Sequence, residues 1–299
     1  PLSLMYIGAC LEEAGHRVQI CDLNATLIDD KTVEQRIQDS GADVFGFPYF
    51  SETAKHNKWL SELCRKANPS GTIVMGGPGA SPIPKQCLNQ FPAVDAIVRG
   101  EGEWTMQALV NRLDQGQSLQ GCLGVTYRES DGSLIHNDER PVETDLDRFP
   151  IPARHLVKDV YDQGQYYALL EAERPVGGIV TSRGCPFSCG FCYNTIQRYR
   201  MHSPEHILNE LVTLRTEYGV RFVEFNDILF TANRQRAERV FELLIQEKLD
   251  IRFAFKARAP ELDDAFVSLA KRAGAAQIGF GVESGVQTIL DNSLHYKFL

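Results

Sequence analysis

Residues 181–194 read TSRGCPFSCGFCYN and hold Cys185, Cys189 and Cys192 at the spacing C-x3-C-x2-C. The run just before them, Gly178 to Ser182, predicts a strand that leads into the cysteine loop. Three thiolates on one tight loop can bind three irons of a cubane [4Fe–4S] cluster, which leaves the fourth iron open to an exchangeable ligand. We therefore predict a metal site whose ligands are the three cysteines of this loop.

The three cysteines also allow two other interpretations. A structural zinc site needs four ligands, and His202, ten residues after Cys192, could supply the fourth. The three thiols could instead be purely structural, which their tight spacing disfavours. The strand context and the spacing together favour the cluster. The other five cysteines are predicted to be buried, reduced thiols, namely Cys10, Cys21, Cys64, Cys87 and Cys122.

The second half of the chain, residues 177–299, predicts alternating strands and helices. Its predicted strands are Gly178–Ser182, Arg221–Phe225, Ile251–Lys256 and Gln277–Val282. Four such units cannot close an eight-unit barrel, so this half predicts a partial (β/α) TIM-like barrel that is truncated at its C-terminal end. Residues 119–176 are predicted to be a connector with a short antiparallel pair around Asp131 and Gly132.

The first half, residues 1–118, also alternates and predicts an open parallel α/β sheet of the Rossmann-like, flavodoxin-like kind. Its predicted strands are Val18–Cys21, Asp43–Phe47, Thr72–Met75 and Ala96–Val98. The glycine-rich turns 76–79 and 99–103 follow the last two of these strands. Ligands bind beyond the carboxyl ends of strands in such sheets, and glycine there lets the backbone approach a ligand closely.

With Phe191 as its aromatic residue, the cysteine loop resembles the signature C-x3-C-x-(aromatic)-C of radical S-adenosylmethionine (SAM) enzymes. The resemblance implies a [4Fe–4S] cluster whose open iron chelates the amino and carboxylate groups of SAM. One electron then cleaves SAM and releases a 5′-deoxyadenosyl radical, chemistry that the cofactor supplies and the protein positions. Five residues are implied to bind SAM: Phe191, Asp227, Arg258, Glu283 and Ser284.

The first half resembles the cobalamin-binding domain that precedes the radical SAM domain in one large subgroup of these enzymes. The matching pieces include residues 43–46, 75–78 and 98–103. The residues implied to contact cobalamin are Asp22, Ser51, Gly76, Gly77, Gly100 and Glu101. The pattern Asp-x-His-x-x-Gly, which places a histidine below cobalt in other cobalamin domains, does not occur in the sequence. The first strand of such a domain is expected before Pro1.

The resemblance implies methyl transfer to an unactivated carbon as the leading reaction, with radical cyclisation or rearrangement as a close relative. A methylthiotransferase acting on RNA or protein is the second candidate. That class carries its own N-terminal cluster, and Cys10, Cys21 and Cys64 are not arranged as one. A zinc-binding interaction protein is the candidate from a different class. The sequence assigns no catalytic residue and no substrate.

Composition restricts the partners. The chain has 31 basic and 39 acidic residues among 299, a net charge of −8, which argues against a general nucleic-acid binder. No apolar run approaches the roughly 18–20 residues that span a bilayer. We expect a cytoplasmic protein, a small-molecule substrate and an electron donor such as flavodoxin or ferredoxin.

Overall fold

The computed structural model describes residues 1–26, 28–189, 191–192 and 198–292. The chain divides between Val142 and Glu143 into two compact units, and each has an α/β architecture around its own sheet.

The first unit contains, among its described residues, a five-stranded sheet in the order β1-β2-β3-β4-β5. The first three strands pair in parallel, and the last two pair antiparallel. The strands are β1 Val44–Pro48, β2 Thr72–Gly76, β3 Ala96–Val98, β4 Val125–Arg128 and β5 Leu134–His136. The helices are α1 Leu2–Glu13, α2 Asp30–Ser40, α3 Ala54–Ala67, α4 Pro84–Gln90 and α5 Glu103–Asp114.

The central strand β2 explains why this unit has helices on both faces of its sheet. Val74 packs into a cluster with Met106 and Leu109 of α5. Its neighbours Ile73 and Met75 pack into a second cluster with residues of α3 and α4. Successive side chains of a strand point to opposite faces, so this apolar run is buried on both sides, as strands of parallel sheets usually are.

Two predictions for the first unit need correction, one of a strand and one of the burial of a cysteine. The strand predicted at Val18–Cys21 is wrong, because this segment has no strand pairing in the structure, although Val18 packs partly buried against the core. Cys21 is consequently exposed, whereas Cys10, Cys64, Cys87 and Cys122 are buried as predicted. The segment predicted as a connector is shared between the units, and its hairpin, β4 and β5, extends the first sheet.

The second unit contains, within the part of the chain that is described, a four-stranded parallel sheet in the order β11-β10-β9-β6. A separate antiparallel ribbon joins β7 to β8. The strands are β6 Val176–Ile179, β7 Ser182–Arg183, β8 Arg200–Met201, β9 Phe222–Phe225, β10 Arg252–Ala257 and β11 Ala275–Phe280. The helices are α6 Lys158–Asp162, α7 Pro204–Glu217, α8 Arg234–Glu247, α9 Asp264–Ala273 and α10 Gln287–Asn292.

Each strand of the second sheet lies beside the next one along the chain, with a helix as the crossover, as the alternating pattern predicts. Buried phenylalanines join the sheet to its helices, among them Phe253, Phe241 and Phe266, whose rings are 5.4–5.7 Å apart in successive pairs. The strand predicted at Gly178–Ser182 ends earlier, at Ile179, and Ser182 belongs to the ribbon instead.

The first turn of α9 is fixed by Asp263. Its carboxylate accepts a hydrogen bond from the Phe266 N–H at 2.8 Å and pairs with the Arg234 guanidinium at 2.7 Å. Hydrogen bonds from Arg234, and then from the Phe266 N–H, lower the pKa of Asp263 from 3.8 to about 2. The carboxylate therefore favours the folded state only while it is ionised.

We expect Asp263→Asn to destabilise the protein at neutral pH, because asparagine keeps the helix cap but loses the ion pair with Arg234. Since the pKa is lowered in the folded state, this contribution is complete above 3.8 and is lost as the pH falls toward about 2. Urea unfolding at about pH 7 and about pH 3 measures the difference. The control is Asp114→Asn, at an exposed position that ends α5. A difference between Asp263→Asn and the unaltered chain that stays constant with pH would contradict the assignment.

Candidate functional site

The cysteine loop lies between the two short strands of the antiparallel ribbon. Ser182 pairs with Met201 and Arg183 with Arg200, so both ends of the loop are held together. Cys185 and Cys189 are half-buried and Cys192 is exposed. The Cys192 N–H donates a hydrogen bond to the Cys189 carbonyl at 3.0 Å. The ribbon thus holds the two ends of the segment that carries the three thiols.

A cation faces this loop. The Arg258 guanidinium, which follows β10, lies over the Phe187 ring with 3.9 Å between its central carbon and the ring centroid. Burial raises the pKa of the Cys185 thiol, and the neighbouring thiols of Cys189 and Cys192 raise it further, while Arg258 lowers it. Positive charge at the loop therefore favours the thiolate form of Cys185, the form that ligates metals.

Asp227 anchors the start of the loop from behind. Its side chain is 1% exposed, and its carboxylate accepts hydrogen bonds from the N–H groups of Thr181 at 2.6 Å and Ser182 at 3.1 Å. It also accepts from both hydroxyls, at 2.9 Å from Ser182 and at a shorter distance from Thr181. Two successive residues therefore direct four hydrogen-bond donors at one carboxylate. Both carboxylate oxygens thus accept hydrogen bonds from within the protein.

Arg236 completes the same buried network. Its guanidinium donates to the Thr181 carbonyl at 2.6 Å and to the Thr181 hydroxyl at 3.1 Å, and it lies 3.7 Å from the Asp227 carboxylate. The sequence gives one signal for this cluster, two hydroxyl residues directly before the loop, but the partners Asp227 and Arg236 are too distant in the chain to be inferred.

His202 does not lie with the cysteines. It is buried, and its Nδ1 is 2.9 Å from Asp147 Oδ1, beside His206. Among the described residues, the group of His, Cys, Asp and Glu side chains that converges on one point consists of Asp147, His202 and His206. The zinc interpretation of the cysteine loop therefore loses the fourth ligand that it requires.

The remaining residues implied to bind SAM follow the ends of strands or lie in the loop itself. Glu283 comes three residues after β11 and has φ 58°, a left-handed backbone conformation. This conformation is strained for residues other than glycine and is concentrated at functional sites. Ser284 is half-buried, and its hydroxyl accepts from the Val286 N–H at 3.1 Å. Phe191 is 49% exposed on the loop.

The parallel sheet brings these residues to one edge. Ile179 is paired with Phe225, and Ala257 with Phe280, so the carboxyl ends of the four strands align. The cysteine loop, Asp227, Arg258 and Glu283 all follow such ends. This edge is the place where α/β sheets bind ligands.

The first unit has a second glycine-lined edge. Pro48 is paired with Gly76, and Gly76 with Val98, so three strand ends align here too. A Cβ on Gly76 would lie 3.1 Å from the Val98 carbonyl oxygen, which leaves little room for any side chain. Gly77 and Gly100 have φ angles of 94° and 67°, which glycine adopts readily.

Ser81 links the two glycine turns, and sequence reasoning missed it. Its hydroxyl donates to the Gly77 carbonyl at 3.0 Å and accepts from the Gly100 N–H at 3.1 Å. The available signal was a hydroxyl residue five positions after Gly76 in the turn. Ser81 therefore fixes the spacing between backbone segments that contain residues implied to contact cobalamin.

The other three residues implied to contact cobalamin lie in different settings. Ser51 is exposed and begins the short 3-10 helix after β1, and Glu101 is half-buried after β3. Asp22 is buried, and its carboxylate accepts from the N–H groups of Asn24 and Ala25 at 3.1 and 3.2 Å. Asp22 thus shapes its own turn and does not follow one of the three aligned strands.

No helix in the described part of the chain has the length and apolarity needed to cross a membrane.

Two family models match the chain. The B12 binding domain matches residues 1–110, and the Radical SAM superfamily matches residues 179–296. The first match includes the glycine-lined edge, and the second includes all three cysteines of the loop.

Curated relatives match along almost the whole chain. An uncharacterized methyltransferase of Pyrococcus horikoshii is 33% identical over 295 residues, which are 97% of this chain and 62% of that protein. The anaerobic magnesium-protoporphyrin IX monomethyl ester cyclase of Rubrivivax gelatinosus is 26% identical over 299 residues, 97% of this chain and 53% of that protein. The chain thus spans little more than half the length of these relatives.

Among solved structures, the radical SAM methyltransferase TsrM from Kitasatospora setae, with cobalamin and a [4Fe–4S] cluster bound, matches with a TM-score of 0.78 at 18% identity. The match covers 97% of this chain and 59% of that one. At this identity the likeness concerns the fold, and it confirms the α/β architecture.

We expect Asp227→Asn to lower the free energy of unfolding by about 2–4 kcal/mol. The amide keeps the size of the side chain, but its NH₂ must face a donor from Thr181 or Ser182, and Arg236 loses its buried partner. Denaturant unfolding followed by circular dichroism measures the change. Glu224→Gln, an exposed change on β9, is the control and should stay within about 0.5 kcal/mol of the unaltered chain. Equal stability of the two variants would show that the Asp227 network contributes nothing.

Proposed function

We propose that this chain is a radical SAM protein with a B12 binding domain and that it binds a [4Fe–4S] cluster through Cys185, Cys189 and Cys192. There it cleaves SAM to a 5′-deoxyadenosyl radical. The observation that carries the proposal is the placement of all three thiols on one closed loop, at the sheet edge that also receives Arg258 and Glu283.

The residues present fit the cluster. Three thiols supply a site with one position left open, and Arg258 places a positive charge close enough to lower the pKa of Cys185. Bound cofactors supply the difficult chemistry: the cluster delivers the electron that cleaves SAM, and cobalamin provides for methyl transfer. The chain binds and orients these groups.

We assign distinct tasks to the residues around the loop. Arg258 pairs with the carboxylate of SAM, since it is a fixed cation beside the loop. Glu283 accepts hydrogen bonds from ribose hydroxyls, and Ser284 and Phe191 line the same ligand. Asp227, whose oxygens accept from Thr181 and Ser182, holds the loop in place instead of contacting SAM directly.

The glycine-lined edge of the first unit fits cobalamin. Gly76, Gly77 and Gly100 leave the backbone open to close approach, and Ser81 fixes their turns. Ser51 and Glu101 flank this edge, and Asp22 shapes the turn before α2. Because the sequence lacks the Asp-x-His-x-x-Gly pattern, the cobalamin proposed here receives no histidine ligand from that motif.

Methyl transfer to an unactivated carbon of a small molecule is the reaction we propose. The methyltransferase of Pyrococcus horikoshii, which matches both units, supports it. Radical cyclisation or rearrangement is the second candidate, favoured by the cyclase of Rubrivivax gelatinosus. A methylthiotransferase is disfavoured because Cys10 and Cys64 are buried separately while Cys21 is exposed.

We further propose domain boundaries, an electron donor and a cellular compartment for this chain. Residues 1–118 form a flavodoxin-like cobalamin domain, and residues 119–176 form a connector whose hairpin extends the first sheet. Residues 177–299 form a partial barrel. Flavodoxin or ferredoxin is the proposed electron donor. The cytoplasm is the proposed compartment, since all eight cysteines are free thiols in the structure.

We expect anaerobic reconstitution with iron and sulfide to give a brown protein that releases 5′-deoxyadenosine from SAM on reduction. Cys189→Ser removes one of three ligands, so the rate of release should fall by at least about 100-fold. Chromatographic quantification of 5′-deoxyadenosine and the electron paramagnetic resonance spectrum of the reduced cluster measure the two effects.

Cys21→Ser is the matched control, since Cys21 is exposed and outside the loop. The cluster assignment fails if Cys189→Ser releases 5′-deoxyadenosine as fast as the control does. A colourless protein that binds zinc with the three cysteines would restore the zinc interpretation.

We expect Ser81→Ala to weaken the binding of hydroxocobalamin by about 5- to 10-fold, the effect of one or two lost hydrogen bonds. Ser70→Ala removes an exposed hydroxyl of the same unit and should leave affinity unchanged. Titration followed by the corrin absorption bands measures both. If the unaltered chain retains no corrinoid after gel filtration, the cobalamin proposal fails while the radical proposal stands.

A further inference from the structure

Asp147, His202 and His206 converge beside the ribbon that carries the cysteine loop. Asp147 lies in the 3-10 helix Leu146–Arg148, His202 directly follows β8, and His206 is in the first turn of α7. Asp147 Oδ1 is 2.9 Å from His202 Nδ1 and 3.7 Å from His206 Nδ1. One ligand atom from each residue lies within 4.8 Å of the other two.

The two imidazoles are stacked, and His202 is buried while His206 is half-buried. Their ring centroids are 4.2 Å apart with an angle of 18° between the planes, and the side chains are 1% and 14% exposed. The Nε2 atoms of both rings are buried, and neither has a hydrogen-bond partner among the residues that the structure describes. Each ring can therefore carry its proton on Nε2, which leaves Nδ1, the atom that faces Asp147, for a metal ion.

His202 is held in the form that a metal requires. Burial, and then the neighbouring His206, lower the pKa of His202 to about 4, although Asp147 acts in the opposite direction. A neutral imidazole has a lone pair free for coordination. The nearby positive charge of Arg183 also lowers the pKa of His202, so the charge that attracts a cation here is the Asp147 carboxylate.

We propose that Asp147, His202 and His206 bind one divalent transition-metal ion, such as Zn²⁺ or Fe²⁺, at a site separate from the cysteine loop. Two imidazoles and one carboxylate are a donor set typical of such ions. Bond lengths of about 2.0–2.2 Å place neighbouring ligand atoms about 3.0–3.5 Å apart. The separations of 2.9 and 3.7 Å bracket that range, so binding needs only small side-chain movements.

Binding of the ion would move one proton within the His202 ring and release none. In its absence the His202 Nδ1–H donates to Asp147, and Asp147 also accepts from the Ser203 N–H at 3.0 Å. On binding, the His202 proton moves to Nε2, and Nδ1 is released for the metal. No redox change is involved, and the remaining coordination positions are filled by water.

The proposed role of the metal is to stabilise the start of the cysteine loop. The His202 N–H donates to the Thr181 carbonyl at 2.9 Å, and Thr181 is the residue that Asp227 and Arg236 hold from within the unit. A metal bound through His202 therefore connects α7 and the 3-10 helix that holds Asp147 to the residue just before β7, the strand that leads into the cysteine loop. The proposal stands whether or not the loop carries a cluster.

The test uses the full chain without a histidine tag, with Cys185→Ser, Cys189→Ser and Cys192→Ser introduced together so that the loop thiols cannot bind the probe. Isothermal titration with Zn²⁺ is expected to give one equivalent, and Co²⁺ should produce visible bands of nitrogen and oxygen ligation without thiolate charge transfer. His206→Gln in this background should weaken binding at least tenfold, and so should Asp147→Asn.

His56→Gln, a change in α3 of the first unit, is the control and should bind Zn²⁺ like its parent. Circular dichroism and the melting temperature without metal establish that each variant is folded. Zn²⁺ should raise the melting temperature of the parent and of His56→Gln but not of His206→Gln. Absence of Zn²⁺ binding by the parent, or equal Zn²⁺ affinity of folded His206→Gln, would overturn the proposal. Asp147, His202 and His206 would then be a hydrogen-bonded group at the start of α7 only.

Discussion

The buried carboxylate of Asp227 is the constraint on which the cysteine loop depends. A desolvated carboxylate is costly unless its oxygens are hydrogen-bonded and its charge is compensated. Thr181 and Ser182, which lead into the loop, supply four donors, and Arg236 of α8 supplies the charge. The same hydrogen bonds that offset the cost of burying the carboxylate also fix the direction in which the chain enters the loop.

The sequence predicts those parts of the molecule that depend on neighbouring residues. Cysteine spacing, glycine-rich turns and the alternation of helices with strands are local patterns, and the structure confirms the alternation over both units. The strand predicted at Val18–Cys21 failed because a strand also needs a hydrogen-bonding neighbour, which no local pattern supplies. Asp227 and Ser182 are 45 positions apart, and Asp147 and His202 are 55 apart, so their partnerships appear only in the folded chain.

The two units share one architecture at the two proposed ligand sites. Each aligns the carboxyl ends of parallel strands, so residues from separate β/α units arrive at a common edge. They differ in what they present there. The first unit presents backbone, because Gly76, Gly77 and Gly100 leave it uncovered. The second presents side chains that carry charge or sulfur, which suits it to hold a reactive group.

The sequential order of strands in the second sheet has a consequence for how the site comes into being. Each β/α unit can pack on the one before it as the chain leaves the ribosome, because its neighbour in space has already been synthesised. Cys185 emerges well before Asp227 and Arg236, since those anchors stand further along the chain. During that interval the thiols are carried on a segment that lacks its anchors, so they are less protected from oxidation than in the folded unit.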